Sequence, residues 1–272
     1  MKKLILTLFI ALSFLRADLL SDKIQDLVGS DNYLRHKKLI DVLFKDKQIF
    51  YINKTLDLYQ ISNVLSNNGL LDLEFNKPQA MNIEFIINAH PRKSMKIINN
   101  ALKSLGYYYY FTNTLSKISQ NDLDWVIKMQ SEHMIDPKNL CIELIKDDIK
   151  VLDITRNGLN QWTYKVDTKN AKISNAVFVD SGEKIMLQKP LNPYFLKIPG
   201  GSSLDIINAN LNHWHPYVVF YNNNLQVLKT VKRNIVYKEL ELKIPKNTKY
   251  IKISDLYTLI NIKRGLSVII KD

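Results

Sequence analysis

Residues 81–107 read Met81-Asn-Ile-Glu-Phe-Ile-Ile-Asn-Ala-His-Pro-Arg-Lys-Ser-Met-Lys-Ile-Ile-Asn-Asn-Ala-Leu-Lys-Ser-Leu-Gly-Tyr107, and their hydrophobic period changes partway. Met81, Ile83, Phe85 and Ile87 recur at every second position, the spacing of a strand with one buried face. Pro91 suits the first position of a helix, where its fixed φ is preorganised and its missing N–H costs nothing. It opens a stretch in which Met95, Ile97, Ile98, Ala101, Leu102 and Leu105 follow helical spacing up to Gly106. A strand and an amphipathic helix bury their apolar faces against each other, so an α+β layer is the expectation.

Working outward, Gln48–Asn53 reads as a short strand. Leu56–Asn67 reads as a helix through Leu56, Tyr59, Ile61, Val64 and Leu65, closed by Asn68-Gly69 where a positive φ is wanted. Leu71–Phe75 alternates and is parted from Met81–Ile87 by an expected turn over Asn76–Gln79 containing Pro78. Tyr107–Thr112 and Leu115–Ser119 read as a hairpin, so residues 48–120 have the order βαββαββ. A second domain of βαββ order is expected over 121–168. Trp125–Gln130 is its first strand, Asp136 caps a helix begun by Pro137, and Ile149–Arg156 pairs with Leu159–Val166 across Asn157-Gly158. Before these, residues 18–47 form a helical pair. Leu19, Leu20, Ile24 and Leu27 line its first helix, Gly29 stops it, and Ser30 caps a second with Leu34, Leu39, Ile40, Val42 and Leu43.

After a polar linker at 169–175 the helical period stops. Nine short strands separated by turn residues fill 176–272, the pattern of a β-sandwich of jelly-roll type. The fold class expected is therefore α+β, small βαββ modules followed by an all-β sandwich.

The 272-residue composition, 46% hydrophobic and 24% charged, excludes wholesale disorder, and one cysteine excludes a disulfide framework or a thiolate metal cage. Lys2 and Lys3 precede an apolar run from Leu4 to Leu15 that ends in Arg16 and Ala17. That run reads as a signal peptide, residues 1–17, cleaved after Ala17, which places the mature protein in the periplasm; an uncleaved N-terminal anchor is the alternative. Residues 173–272 hold 14 Lys and Arg against 7 acids, whereas residues 18–172 hold 21 against 19. The sandwich is the basic half. Export argues against nucleic acid, so an anionic envelope surface, a glycan or an acidic protein is the natural partner for that charge.

Four features of residues 48–119 resemble the short N-terminal domain of secretins and TonB-dependent receptors. They are the helix end Asn68-Gly69-Leu70, the segment around Asn76-Lys77-Pro78, the strand Met81-Asn-Ile-Glu-Phe85, and the helix Ser94–Leu105 followed by Gly106-Tyr107. The segments Lys197-Ile-Pro-Gly-Gly-Ser-Ser203, Val218–Leu225 and Lys243–Ile253 are similar to the sandwich modules of bacterial and phage surface proteins. Together these resemblances imply an accessory part of an envelope machine, similar to flagellar motility proteins of the FlgQ type. The partners implied are envelope proteins or copies of the chain itself in a ring or disk.

Candidate contact residues follow from the two readings. Assembly through the Ser94–Leu105 helix would use Asn99 and Lys103. Glycan binding by the sandwich would use Trp214 and Tyr217, rings able to stack on sugars, together with His213 and His215. His213-Trp214-His215 alternates as a strand would, placing both imidazoles on one face, but two ligands do not make a metal site. The run Tyr107–Tyr110 would alternate between core and surface. Without a nucleophile elbow, a phosphate-cradling glycine loop or a His-Glu-x-x-His motif, no enzyme activity and no cofactor is expected, and Cys141 reads as a buried, inert thiol.

Overall fold

The computed structural model describes residues 19–119 and 122–272, which divide between Lys172 and Ile173 into two compact units. The expected signal peptide lies outside the described residues. The architecture is α+β with a β-sandwich.

The first unit begins with α1 (19–28), α2 (Ser30–Arg35) and α3 (Lys37–Leu43). Gly29, at φ 85°, occupies the cap position expected for Ser30, which instead starts α2 without a side-chain cap. Leu20, Ile24, Leu27, Ile40 and Phe44 are buried, whereas Leu34, Leu39 and Val42, expected on the buried face, are exposed. The helical period breaks at His36, at φ −105° and ψ 15°, which rotates the second half away from the face Leu34 shares.

A 3₁₀ turn (Lys47–Phe50) and the two-residue hairpin β1 (Tyr51–Ile52) and β2 (Thr55–Leu56) lead to α4 (Leu58–Asn67). Asp57 caps α4 by accepting from the Gln60 N–H at 3.1 Å. Then come β3 (Glu74–Ile87), α5 (Pro91–Ser104), β4 (Phe111–Lys117), β5 (Leu123–His133), α6 (Pro137–Ile145), β6 (Lys150–Gly158) and β7 (Gln161–Asp167). Asp136 caps α6 by accepting from the Lys138 N–H at 2.9 Å.

These strands form one five-stranded sheet in the order β4-β5-β3-β7-β6. The two domains expected over 48–120 and 121–168 are therefore one. β3 pairs antiparallel with β5 and parallel with β7, both from the expected second module. The expected turn at Asn76–Gln79 is also absent: β3 runs through it with a break in register between Glu74 and Gln79. Pro78, with no N–H to donate, is tolerated because β7 begins pairing only opposite Asn82. Met81, Ile83 and Phe85 on β3, Trp125 and Ile127 on β5, and Trp162 and Tyr164 on β7 are all buried on one face. In the helix layer, Ile61 and Leu65 on α4, Ile97, Ile98 and Leu102 on α5, and Leu140 and Leu144 on α6 are buried as well. The opposite face of the sheet carries Asn82, Glu84, Thr163 and Lys165.

The expected linker is ordered against this unit rather than free. Thr168 is fully buried, accepting from the Ala89 N–H at 3.2 Å and donating from its own N–H to Asn88 at 2.9 Å. The Lys172 N–H donates to the Asp147 carbonyl at 3.0 Å.

The second unit contains all nine strands read from the sequence: β8 (Val177–Phe178), β9 (Lys184–Leu187), β10 (Tyr194–Lys197), β11 (Ser203–Asn208), β12 (Pro216–Tyr221), β13 (Val227–Lys232), β14 (Glu239–Lys243), β15 (Tyr250–Asp255) and β16 (Leu266–Lys271). They form a five-stranded sheet, β13-β12-β15-β10-β8, and a four-stranded sheet, β14-β11-β16-β9. Only β12 and β13 are sequential neighbours in one sheet, so every other connection passes between sheets, as in a jelly roll. Val218, Phe220, Ile251 and Ile253 of one sheet and Leu204, Ile206, Val268 and Ile270 of the other share the core.

Candidate functional site

Two surfaces, one on each unit, combine exposure with side chains able to bind. On the first unit the sheet ends at β4, where every residue is exposed. Thr112, Leu115 and Lys117 pair with Ile127, Trp125 and Leu123, and residues directly opposed across a ladder share a face. The core face of the sheet therefore continues onto β4, while the helix layer stops short of it. Leu115 is 53% exposed against 3% for Trp125. Phe111 and Ile118 are also exposed, and Tyr109 is 92% exposed.

Of the devices that blunt a sheet edge, β4 carries Lys117 and a break in register between Thr112 and Thr114, but Phe111-Thr-Asn-Thr-Leu-Ser-Lys117 has no proline and no acid. The other edge differs. Lys23 of α1 donates to the Ile154 carbonyl of β6 at 2.9 Å and pairs with Asp153 at 2.8 Å, and Arg156 Nη1 donates to the Leu27 and Val28 carbonyls at 3.0 Å each. Burial lowers the Arg156 pKa, opposed by the nearby Asp72 and Asp26.

The expected tyrosine strand is a loop. Tyr107 and Tyr110 are half-buried, with phenol pKa values raised by burial, while Tyr108 and Tyr109 face solvent. Tyr110 donates from its hydroxyl to Asn99 Oδ1 at 2.5 Å, so Asn99, expected free on the helix face, is half-buried and engaged; Lys103 is exposed. Burial pushes the Cys141 thiol up to about 12, placing it beyond nucleophilic use at neutral pH.

On the second unit Trp214 is in the core, fully buried, with Nε1 donating to the Ser254 carbonyl at 2.9 Å. It cannot stack on a ligand, which overturns its expected glycan contact. The residues before β12 form a loop, so His213 and His215 do not share a strand face. His213 is exposed, and His215 turns inward with Nδ1 3.5 Å from Asp255 Oδ2 and its ring edge-on to Tyr257. Asp255 is a structural hub. It accepts N–H donors from His215 at 2.7 Å, Tyr257 at 2.8 Å, Thr258 at 3.0 Å and the Asn261 amide at 3.0 Å. Burial alone would raise its pKa, but these donors favour the carboxylate and hold it below the usual range. No group of three or more metal-ligating side chains occurs among the described residues.

Tyr217 does reach the surface. It lies on the outer face of the five-stranded sheet, half-buried, with Lys232 Nζ and Lys252 Nζ each 5.2 Å from its ring centroid. Phe195 and Tyr250 stack 5.4 Å apart on the same face, with Tyr221 6.1 Å from Phe195. No single sequence motif marked this group, because its members come from β12, β13, β15 and β10. The basic count of the sandwich was its only signal.

No protein-family model and no curated protein matches this chain. Among solved structures, a β-glucosidase from Paenibacillus barengoltzii is similar at 15% identity, covering 34% of this chain and 11% of that one with a TM-score of 0.17. The match thus spans about a tenth of the enzyme's length.

Proposed function

We propose that the protein is a non-enzymatic assembly protein of a periplasmic envelope machine, of the kind a flagellar motor accessory component represents, and that it docks through β4. The observation that carries this reading is the exposed edge, with Lys117 its single charge, at which the core face of the sheet runs out from under its helices. A partner strand added there would satisfy the free backbone groups of β4 and cover Leu115 and Phe111. α1 already engages β6, so a ring made by joining β4 of one copy to β6 of the next lacks an open acceptor edge. Pairing β4 with another β4 would close a two-fold dimer and stop. The occupant is therefore a strand of a different envelope protein.

Phe111→Glu with Leu115→Lys tests this, read by native gel electrophoresis of envelope extracts. The wild type should migrate in a large complex and the variant as a free chain with an unchanged unfolding transition. A variant that stays in the complex would refute the β4 interface.

A further inference from the structure

We infer that the outer face of the five-stranded sheet is a binding site for an acidic polysaccharide. The ladder registers place the outward side chains in rows across the strands. Lys232, Tyr217 and Ser254 form one row; Thr230, Val219, Lys252 and Phe195 the next; Val227, Tyr221, Tyr250 and Lys197 a third. Val219, Tyr250 and Ser254 are themselves buried, so the site is made by the remaining members. The three rows contain three lysines and no carboxylate. Lys197, Lys232 and Lys252 make no ion pair among the described residues.

The position of the charges is specific. β12 lies between β13 and β15, so Lys232 and Lys252 approach the Tyr217 ring from neighbouring strands on either side. The two ammonium groups flank the Tyr217 ring and supply donors for carboxylates, while the phenol hydroxyl can bond sugar oxygens. Within a row, neighbouring side chains stand roughly 4.8 Å apart, the separation of paired strands and a spacing of the order of one pyranose. An extended sugar chain bearing carboxylates can therefore meet a cation and an aromatic edge in turn.

A lipid surface is disfavoured because the rings of Tyr217, Tyr221 and Phe195 are half-buried, which leaves Val227 as the one exposed apolar side chain of the three rows. This site lies on the sandwich and is independent of β4, so it can stand or fall without the assembly reading.

The test uses the full chain with alginate, a polyuronate, as probe, neutral dextran as the uncharged comparison, and phosphatidylglycerol vesicles as the lipid comparison. Alginate should bind, dextran and vesicles should not, and the affinity should fall as salt rises. Lys232→Gln with Lys252→Gln should weaken binding at least about tenfold, the loss expected for a charge-assisted hydrogen bond. Tyr217→Ala, at unchanged charge, should also weaken it. Lys243→Gln with Lys246→Gln, an equal charge change elsewhere on the sandwich, should leave it intact. Equal losses from both lysine pairs would reduce the effect to bulk charge and overturn the site. So would wild-type affinity in the Lys232 and Lys252 variant, or binding to vesicles in preference to alginate.

Discussion

Leu115 lies directly across the β4–β5 ladder from Trp125, on the same face of the sheet, yet Trp125 is sealed under the helices and Leu115 is open to solvent. The pair marks where the hydrophobic layer of the first unit is left incomplete. An edge of this kind invites pairing unless it is charged, short or covered, and β4 is seven residues long with a single lysine.

The same pair makes a stability prediction. Trp125→Ala should destabilise the first unit by about 3–5 kcal/mol, the usual cost of emptying a buried aromatic site. Leu115→Ala should change it by less than about 0.5 kcal/mol, as for exposed positions. Denaturant unfolding of each variant measures both, and a large loss at Leu115 would mean that the edge is already packed in the free chain.

Trp214 separates the core role from the ligand role. Trp214→Phe removes the hydrogen bond to Ser254 while keeping most of the volume, and should cost about 1–3 kcal/mol for the carbonyl left unpaired. Trp214→Ala should cost about 3–5 kcal/mol by adding a cavity. Alginate binding by whatever fraction remains folded should be unchanged in Trp214→Phe.

The nine sandwich strands were legible because each is short and bounded by turn residues, so local chemistry alone delimits them. The shared sheet of the first unit was not. Parallel pairing of β3 with β7 joins residues about eighty positions apart, and no local period reports a partner so distant. Pro78 read as a turn because the absence of a neighbour on its amide side is a tertiary fact. Trp214 was misassigned for a related reason. Alternation tells which residues share a face but not which face is inside. Tyr217, named from the sequence as a candidate contact, does reach the surface, but the two lysines beside it were not legible, since strand order brings them together.

Asp255 predicts acid sensitivity. Its folded pKa lies below the ordinary 3.8, so the carboxylate contributes stability that is present above that value and is lost as pH falls through the folded pKa. Asp255→Asn should destabilise the sandwich at neutral pH by about 1–3 kcal/mol, because the amide sets an N–H₂ against N–H donors. It should also flatten the stability profile below about pH 4. Thermal unfolding between pH 2 and 7 resolves both effects.

Cys141 predicts the opposite sign. Its thiol is raised from an ordinary 9.0 to about 12, so the stability linked to the protonated form is complete below pH 9 and is lost between pH 9 and 12. At pH 8 a thiol reagent should modify it only after unfolding. Prompt labelling of the native chain would show that the site opens readily.

The β4 interface is probed at closest range by photo-crosslinking in intact envelopes, with a benzophenone side chain placed at Leu115 and, as a control, at Lys165 on β7. A β4 interface should give a single protein adduct from position 115 that is absent from position 165. Adducts from both positions alike, or none from position 115 in cells where the chain is abundant, would show that β4 is not where the partner docks.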